Sequence, residues 1–225
     1  TEIYTLSLHD ALPIYTYGVY FYGVQFFADK DDGYEIYYDP AAGLSTASAG
    51  IALEQFTDAI PCWVSDTSLP GYLVPLGLLN DQDVPVAPGV FTQSSTAVIR
   101  SLYIKGICDF GATYAHTGDP RTSSTLSDLP DLNKRIVIIW KSDPIIPTIN
   151  LSAYPDLDPR LVQQVAQIIQ EHARTDEGKL QLGQILNTSV EGIKLIDDSS
   201  YEPLRHYLDS AGVNIQQLLL RRSTD

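Results

Sequence analysis

The sequence predicts an α/β protein with a mostly parallel sheet flanked by helices. Short apolar or alternating runs, typical of strands, alternate with helical segments between residues 19 and 140. The connections between these segments are short, and from residue 158 onward the pattern is helical only. Strands and helices that alternate in this way are typical of a parallel sheet with helices on both faces.

The strands are predicted from their apolar content and the helices from caps and spacing. The predicted strands are residues 19–27, 60–64, 86–92, 107–114 and 135–140. The predicted helices are residues 45–56, 71–79, 97–105, 175–186, 200–208 and a segment that begins at Pro159. Asp158 caps that last segment, and its apolar stripe is predicted to face inward; the stripe consists of Leu161, Val162, Val165, Ile168 and Ile169.

The order of these elements predicts two lobes joined by two crossovers. Because the C-terminal helices cannot extend the middle sheet, we expect them to pack on the first segment of the chain. Lobe 1 is then discontinuous, with residues 15–57 and 148–225, and lobe 2 is residues 58–147.

Residues 1–14 resemble the in-frame translation of a common short-read sequencing adapter. We therefore treat this segment as non-native and exclude it from fold reasoning, as one excludes a tag. On this interpretation the natural N-terminal part is lost, and lobe 1 is incomplete.

Composition and charge exclude several classes of function. The formal net charge is −14 and no cluster of Lys and Arg occurs, so we expect no nucleic-acid partner. No apolar run is long enough to cross a bilayer. No group of residues has the spacing of a metal site or a cofactor motif, so neither is predicted.

Cys62 and Cys108 each lie at the start of a predicted strand. If these strands are parallel neighbours, the two sulfurs lie at the same sheet edge and a disulfide is feasible, which suits an extracytoplasmic compartment. Two buried free thiols are the alternative.

The loops that follow three predicted strands favour a binding site. Residues 65–71, 93–96 and 114–122 are rich in glycine and small hydroxyl residues. Ligands of open sheets bind beyond the carboxyl ends of the strands. A helix that starts in such a loop offers unpaired backbone N–H groups and partial positive charge to an anion.

Four segments together resemble the phosphonate-type substrate-binding proteins of ABC transporters. They are CWVSDTSLPGYLVPLGLL from Cys62, GICDFGATYA from Gly106, IVIIWKSDPIIP from Ile136 and DDSSYEPLR from Asp197. The resemblance implies a type II periplasmic-binding fold and a non-catalytic receptor. It also implies a small, phosphonate-like oxyanion as ligand and permease subunits as partners. We expect a monomer in the periplasm or another extracytoplasmic space, with or without a lipid anchor.

The resemblance also implies which residues bind the ligand. The family's loop of hydroxyl residues matches residues 68–72 here, but Pro70 has no N–H to donate, which predicts a weaker or differently shaped grip. No carboxylate stands where relatives bind an amino group, which argues against an aminated phosphonate. The implied contacts are Ser68, Leu69, Gly71, Tyr72, Ser94, Ser95, Thr96, Thr113, Tyr114 and His116, with Tyr20 and Tyr22 from the other lobe.

Two other functions stay open at the level of sequence. A sensor domain would use the same cleft to signal. An enzyme of cofactor biosynthesis on this fold would need a nucleophile and base, or a metal cluster, in the cleft. No such group is evident, so we predict a receptor and not an enzyme.

Overall fold

The computed structural model describes residues 11–16, 18–115, 119–153, 156–212 and 214. The strands are β1 (Ala11–Tyr15), β2 (Phe21–Asp29), β3 (Tyr38–Asp39), β4 (Leu44–Ser45), β5 (Pro61–Trp63), β6 (Val90–Phe91), β7 (Phe110–Ala115), β8 (Ile136–Lys141), β9 (Ile146–Pro147), β10 (Asn150–Ser152) and β11 (Gly192–Ile193). The helices are α1 (Ala49–Leu53), α2 (Val74–Asp81), α3 (Ser95–Ile104), α4 (Leu132–Arg135), α5 (Pro159–His172), α6 (Asp176–Leu186) and α7 (Glu202–Ser210).

The chain divides into two compact units. Unit 1 contains the described residues up to Tyr22 and Ile145–Arg205, and unit 2 contains Gly23–Pro144 and the described residues from His206 onward. We had placed residues 23–57 in the first lobe, but they lie in unit 2. The reason is that β2 pairs with β7 and β8 from Gly23 to Asp29, which makes this part of β2 a strand of the unit 2 sheet.

The sheet of unit 2 has the strand order β6-β5-β7-β2-β8. Strand β5 is parallel to β6 and β7, whereas β2 is antiparallel to both β7 and β8. Strands β6, β5, β7 and β8 therefore run in one direction and β2 runs in the other. The predicted α/β class with a mostly parallel sheet is confirmed.

Successive side chains of β2 point to opposite sides of the sheet. Since every residue from Gly23 to Asp29 is buried, the strand is covered on both faces. On one side Phe26 packs with Phe56 and Phe110, and the rings of Phe56 and Phe110 lie 4.2 Å apart between centroids. On the other side Phe27 lies in a cluster with Ile99 of α3. Helices thus cover both faces of the sheet, and the loops at its edges are held by a rigid core.

A buried ion cluster stabilises the far end of β2. The carboxylate of Asp29 accepts hydrogen bonds from the Asp31 amide at 3.0 Å and from Arg135 Nε at 2.7 Å, and Lys105 Nζ lies 3.4 Å away. Burial by itself raises the pKa of Asp29, but these three partners together lower it below the ordinary value of 3.8.

We expect Asp29→Asn to lower the free energy of unfolding by about 1.5–3 kcal/mol at neutral pH, because a charge-assisted hydrogen-bond set is lost. Since the folded pKa is lowered, this contribution is present above pH 3.8 and is lost as the pH falls through the folded pKa. Urea unfolding at pH 7 and pH 3 measures it. The difference between wild type and variant should shrink at pH 3, and a constant difference would contradict the assignment.

Cys62 of β5 and Cys108, which precedes β7, form a disulfide. Of the two alternatives drawn from the sequence, the structure has the bonded one, and the described residues include no free cysteine. The two cysteines come together because β5 and β7 are parallel neighbours, with Cys62 opposite Gly111.

Unit 1 contains the sheet β10-β1-β11. We had excluded residues 1–14 from the fold, but residues 11–14 belong to β1, where Leu12 and Ile14 are buried; residues 1–10 lie outside the described residues.

The predicted inward stripe of α5 is largely exposed, with Leu161 at 49% and Ile168 at 64%. Four of its five members line an apolar groove of about 300 Å³ together with residues of β1 and β10; they are Leu161, Val162, Val165 and Ile169.

Two predicted elements are shorter than expected. The helix predicted at residues 45–56 is reduced to α1 and a single 3₁₀ turn, because Ser45 pairs in the β3–β4 hairpin and its hydroxyl donates to the Lys141 carbonyl. The strand predicted at residues 86–92 is reduced to β6. Pro85 and Pro88 lack the N–H that a regular ladder requires, so only isolated main-chain bonds form there, such as Ala87 N to Ala59 O at 3.0 Å, and regular strand pairing begins at Val90.

Candidate functional site

Two hydroxyl-rich loops lie side by side at one edge of the unit 2 sheet. They follow β5 and β6, which are parallel, so both loops leave the carboxyl edge. Main-chain hydrogen bonds join them: Thr92 N donates to Trp63 O at 2.9 Å, and Gln93 N donates to Val64 O at 2.7 Å. The first loop leads to α2 and the second to α3, so two helix starts lie at this edge.

The first helix starts with one wide turn, Leu69–Leu73, in which Leu73 N donates to Ser68 O at 3.0 Å. Ser68 caps this turn, and its Oγ accepts from Gly71 N at 3.1 Å. The amide of Gly71 is therefore already bonded, which the sequence did not show. The Ser68 hydroxyl hydrogen is left to donate, and the amides of Leu69 and Tyr72 lie in the first turn, where backbone N–H groups have no partner inside the helix.

Gly71 is required at this elbow because the chain passes close to β5. A Cβ at this position would lie 2.4 Å from Val64 Cγ2 and 2.9 Å from Ser68 Oγ. The elbow is also fixed by the bond from Val64 N to Gly71 O at 3.0 Å. The geometry of the loop is thus set by packing against the strand that precedes it.

The second helix start is capped in the same way. Ser94 Oγ accepts from Ala97 N at 3.1 Å, and it lies 3.2 Å from Thr96 Oγ1. Whichever hydroxyl donates within that pair, one hydroxyl hydrogen remains for another acceptor. Ser95 is the first residue of α3, and its amide lies in the first turn.

An aromatic group borders the elbow. The ring of Tyr72 makes edge contacts with Trp63, at 5.6 Å between centroids, and with Phe91, at 5.1 Å. Sequence reasoning missed Trp63 and Phe91 as neighbours of the site. The only signal was their position at the ends of the strands that carry the loops.

Strand β7 precedes the third loop and carries two of the predicted ligand contacts, Thr113 and Tyr114. Thr113 is fully buried and its hydroxyl donates to the Tyr114 carbonyl at 3.3 Å, so this hydroxyl is not offered at the surface. Tyr114 is half-buried, and its carbonyl also accepts from Gln25 Nε2 at 2.9 Å. The sequence analysis did not predict that Gln25 contacts this strand, although a glutamine within an apolar strand indicates a polar side chain that needs a hydrogen-bond partner. His116 lies outside the described residues.

Tyr20 and Tyr22 lie in unit 1. Tyr20 packs on Tyr15 with 4.8 Å between ring centroids, and burial, followed by the neighbouring Tyr15, raises the pKa of Tyr20. Burial raises the pKa of Tyr22 to about 12. Both phenols therefore stay protonated at neutral pH.

The two loops that lead to α2 and α3 are nearly free of ionic side chains. Residues 64–72 and 92–97 contain Asp66 as their single charged residue, and Asp66 is exposed. Within the described residues no cluster of three His, Cys, Asp or Glu side chains has the arrangement of a metal site. In the same residues no helix has the length and apolar character of a membrane span. The chemistry on offer is hydrogen-bond donation from hydroxyls and amides.

The chain matches the family described as ABC transporter, phosphonate, periplasmic substrate-binding protein, over residues 11–201. This match covers most of the sequence, so the chain belongs to that family. The family comprises transport proteins and not enzymes, it places the protein outside the cytoplasm, and it implies a small-molecule ligand and permease partners. No curated protein matches the chain.

Solved structures similar to this chain have the same fold. The XAC2383 protein from Xanthomonas citri, bound to chloride ion, is 15% identical with a TM-score of 0.63, and the match covers 90% of this chain and 70% of that one. PhnD1 from Prochlorococcus marinus, in complex with methylphosphonate, is 14% identical with a TM-score of 0.54, over 91% and 72%. A binding protein component of an ABC phosphonate transporter from Pseudomonas aeruginosa is 16% identical with a TM-score of 0.50, over 88% and 61%.

Proposed function

We propose that this chain captures a small oxyanion, with a phosphonate-like compound as the expected class, and presents it to the permease. The observation that carries the proposal is the pair of serine-capped helix starts, at Ser68 and Ser94, side by side at the carboxyl edge of β5 and β6. Such helix starts stabilise negative charge through backbone N–H groups and the helix dipole.

The ligand is held by neutral donors in this proposal. Ser68, the Ser94–Thr96 pair and the first-turn amides supply the hydrogen bonds, and we propose Tyr20 and Tyr22 as further ligand contacts. Closure around a ligand is a known motion of periplasmic binding proteins. We further propose that the protein acts as a monomer without nucleic-acid partners, and that any lipid anchor serves only to hold it at the membrane.

We expect Ser68→Ala to weaken the binding of methylphosphonate by about 10- to 100-fold. The reason is that a hydrogen bond to a charged group contributes about 1.5–3 kcal/mol, and 1.4 kcal/mol corresponds to tenfold in affinity. Isothermal titration calorimetry with methylphosphonate measures the change. Loss of the cap also costs about 1 kcal/mol of stability, so thermal unfolding must show that the variant is folded at the assay temperature.

Ser127→Ala is the matched control for this experiment. Ser127 is exposed and its hydroxyl donates to the Ser124 carbonyl at 2.8 Å, at the end of a 3₁₀ turn outside residues 64–72 and 92–97. Its substitution should leave methylphosphonate affinity unchanged. If Ser68→Ala binds as tightly as Ser127→Ala, Ser68 is not a ligand contact.

A further inference from the structure

Helix α7 belongs to both units. The boundary between them falls at Arg205 and His206, inside the helix, so the chain crosses from unit 1 to unit 2 within a single turn. Each half of the helix is attached separately to its own unit. This crossing is additional to the ones at Tyr22 and Pro144.

The first half is attached within unit 1 by Arg205. Its guanidinium pairs with the Asp198 carboxylate, donates to the Asp198 carbonyl at 3.3 Å, and lies 2.5 Å from Glu202 Oε1. Tyr201 and Leu204 are both buried next to it, at 5% and 2% exposure. These contacts fix the start of the helix.

The second half is attached to α2. His206 Nε2 lies 2.6 Å from Asp81 Oδ1, and Asn80 Nδ2 donates to the Ser210 carbonyl at 2.9 Å. The two backbones approach so closely at Gly77 that a Cβ there would lie 1.9 Å from the Tyr207 carbonyl oxygen. Only glycine permits this contact, since the obstacle is backbone and cannot move aside as a flexible side chain would.

Helix α2 is the same helix that begins at the Ser68 elbow, because the turn Leu69–Leu73 runs directly into Val74. We propose that α7 is a strap: it holds the C-terminal half of α2 and thereby fixes the elbow at the N-terminal end. The part of this inference that concerns ligand affinity rests on the proposed function. The part that concerns the elbow's rigidity does not.

Gly77→Ala tests the strap in the ligand-free chain by hydrogen exchange. We expect amides of residues 206–212 and of residues 69–76 to exchange about tenfold faster or more, because local opening becomes easier once the strap is displaced. Amides of α6 should not change. Gly192→Ala in β11 is the control, since the added Cβ meets only ordinary contacts, at 3.5 Å from Tyr15 Cβ and Tyr20 Oη.

A second variant, Asn80→Ala with His206→Ala, removes the side-chain attachments without added volume and should show the same pattern if Gly77→Ala does not fold. The strap is contradicted if residues 206–212 exchange faster while residues 69–76 do not, or if neither segment changes in the folded variant. Calorimetry with methylphosphonate then separates the two proposals. If the strap fixes the elbow, the variant binds methylphosphonate more weakly than the wild type does. If the wild-type chain does not bind methylphosphonate at all, the proposed ligand is wrong. The hydrogen-exchange result then tests the strap by itself.

Discussion

Phe110→Ala should lower the free energy of unfolding by about 3–5 kcal/mol, as removal of a fully buried phenylalanine from a packed core does. Phe110 is 0% exposed and contacts three aromatic rings in unit 2: Phe56 at 4.2 Å, Trp63 at 5.9 Å and Phe26 at 6.3 Å between centroids. These three rings come from β2, β5 and the turn after α1, so a cavity at Phe110 of β7 would weaken the sheet and one of its covering layers together. Urea unfolding followed by circular dichroism measures the loss.

Phe91→Ala is the matched control, because it makes the same substitution at an exposed phenylalanine. Phe91 is 42% exposed at the sheet edge, so its removal leaves no closed cavity and should cost well under half as much. Equal losses in the two variants would show that the Phe26–Phe56–Phe110 stack is not the core of unit 2.

Replacement of both Cys62 and Cys108 by alanine should lower the free energy of unfolding by about 2–4 kcal/mol. The disulfide joins two residues with a sequence separation of 46. Without it the unfolded chain gains conformational entropy, which lowers the free energy of unfolding. The two sulfurs also lie in the cluster that joins α3 to the sheet.

The measurement is denaturant unfolding of the variant next to that of the wild type under oxidising and reducing conditions. The variant should match the reduced wild type to within about 1 kcal/mol, because both lack the cross-link. An oxidised wild type no more stable than the variant would contradict a stabilising role for the disulfide.

The sheet of unit 2 was predictable because its strands have local signals. Residues 60–64 and 135–140 are apolar runs, and glycine or a hydroxyl cap marks where α3 starts and ends. The division into units was not predictable, since β2 could be assigned to unit 2 only from its pairing with β7 and β8. A long-range pairing leaves no mark in the local pattern.

The candidate site was predicted in part. The strand–loop–helix pattern located both capped loops, and parallel strands bring such loops to one edge. The bond between Ser68 Oγ and the Gly71 amide was not predictable, because it depends on the wide turn at Leu69–Leu73. Thr113 was expected to contact the ligand, but whether a strand residue faces the core or the edge depends on register, and here it is fully buried.

Binding of an oxyanion at the two capped helix starts can be measured by titrating the ¹⁵N-labelled chain with methylphosphonate. We expect saturable chemical-shift changes at the amides of Leu69, Tyr72, Ser95 and Thr96, with smaller changes in α6. Shifts confined to other parts of the chain, or no saturable shift at these four amides, would contradict it.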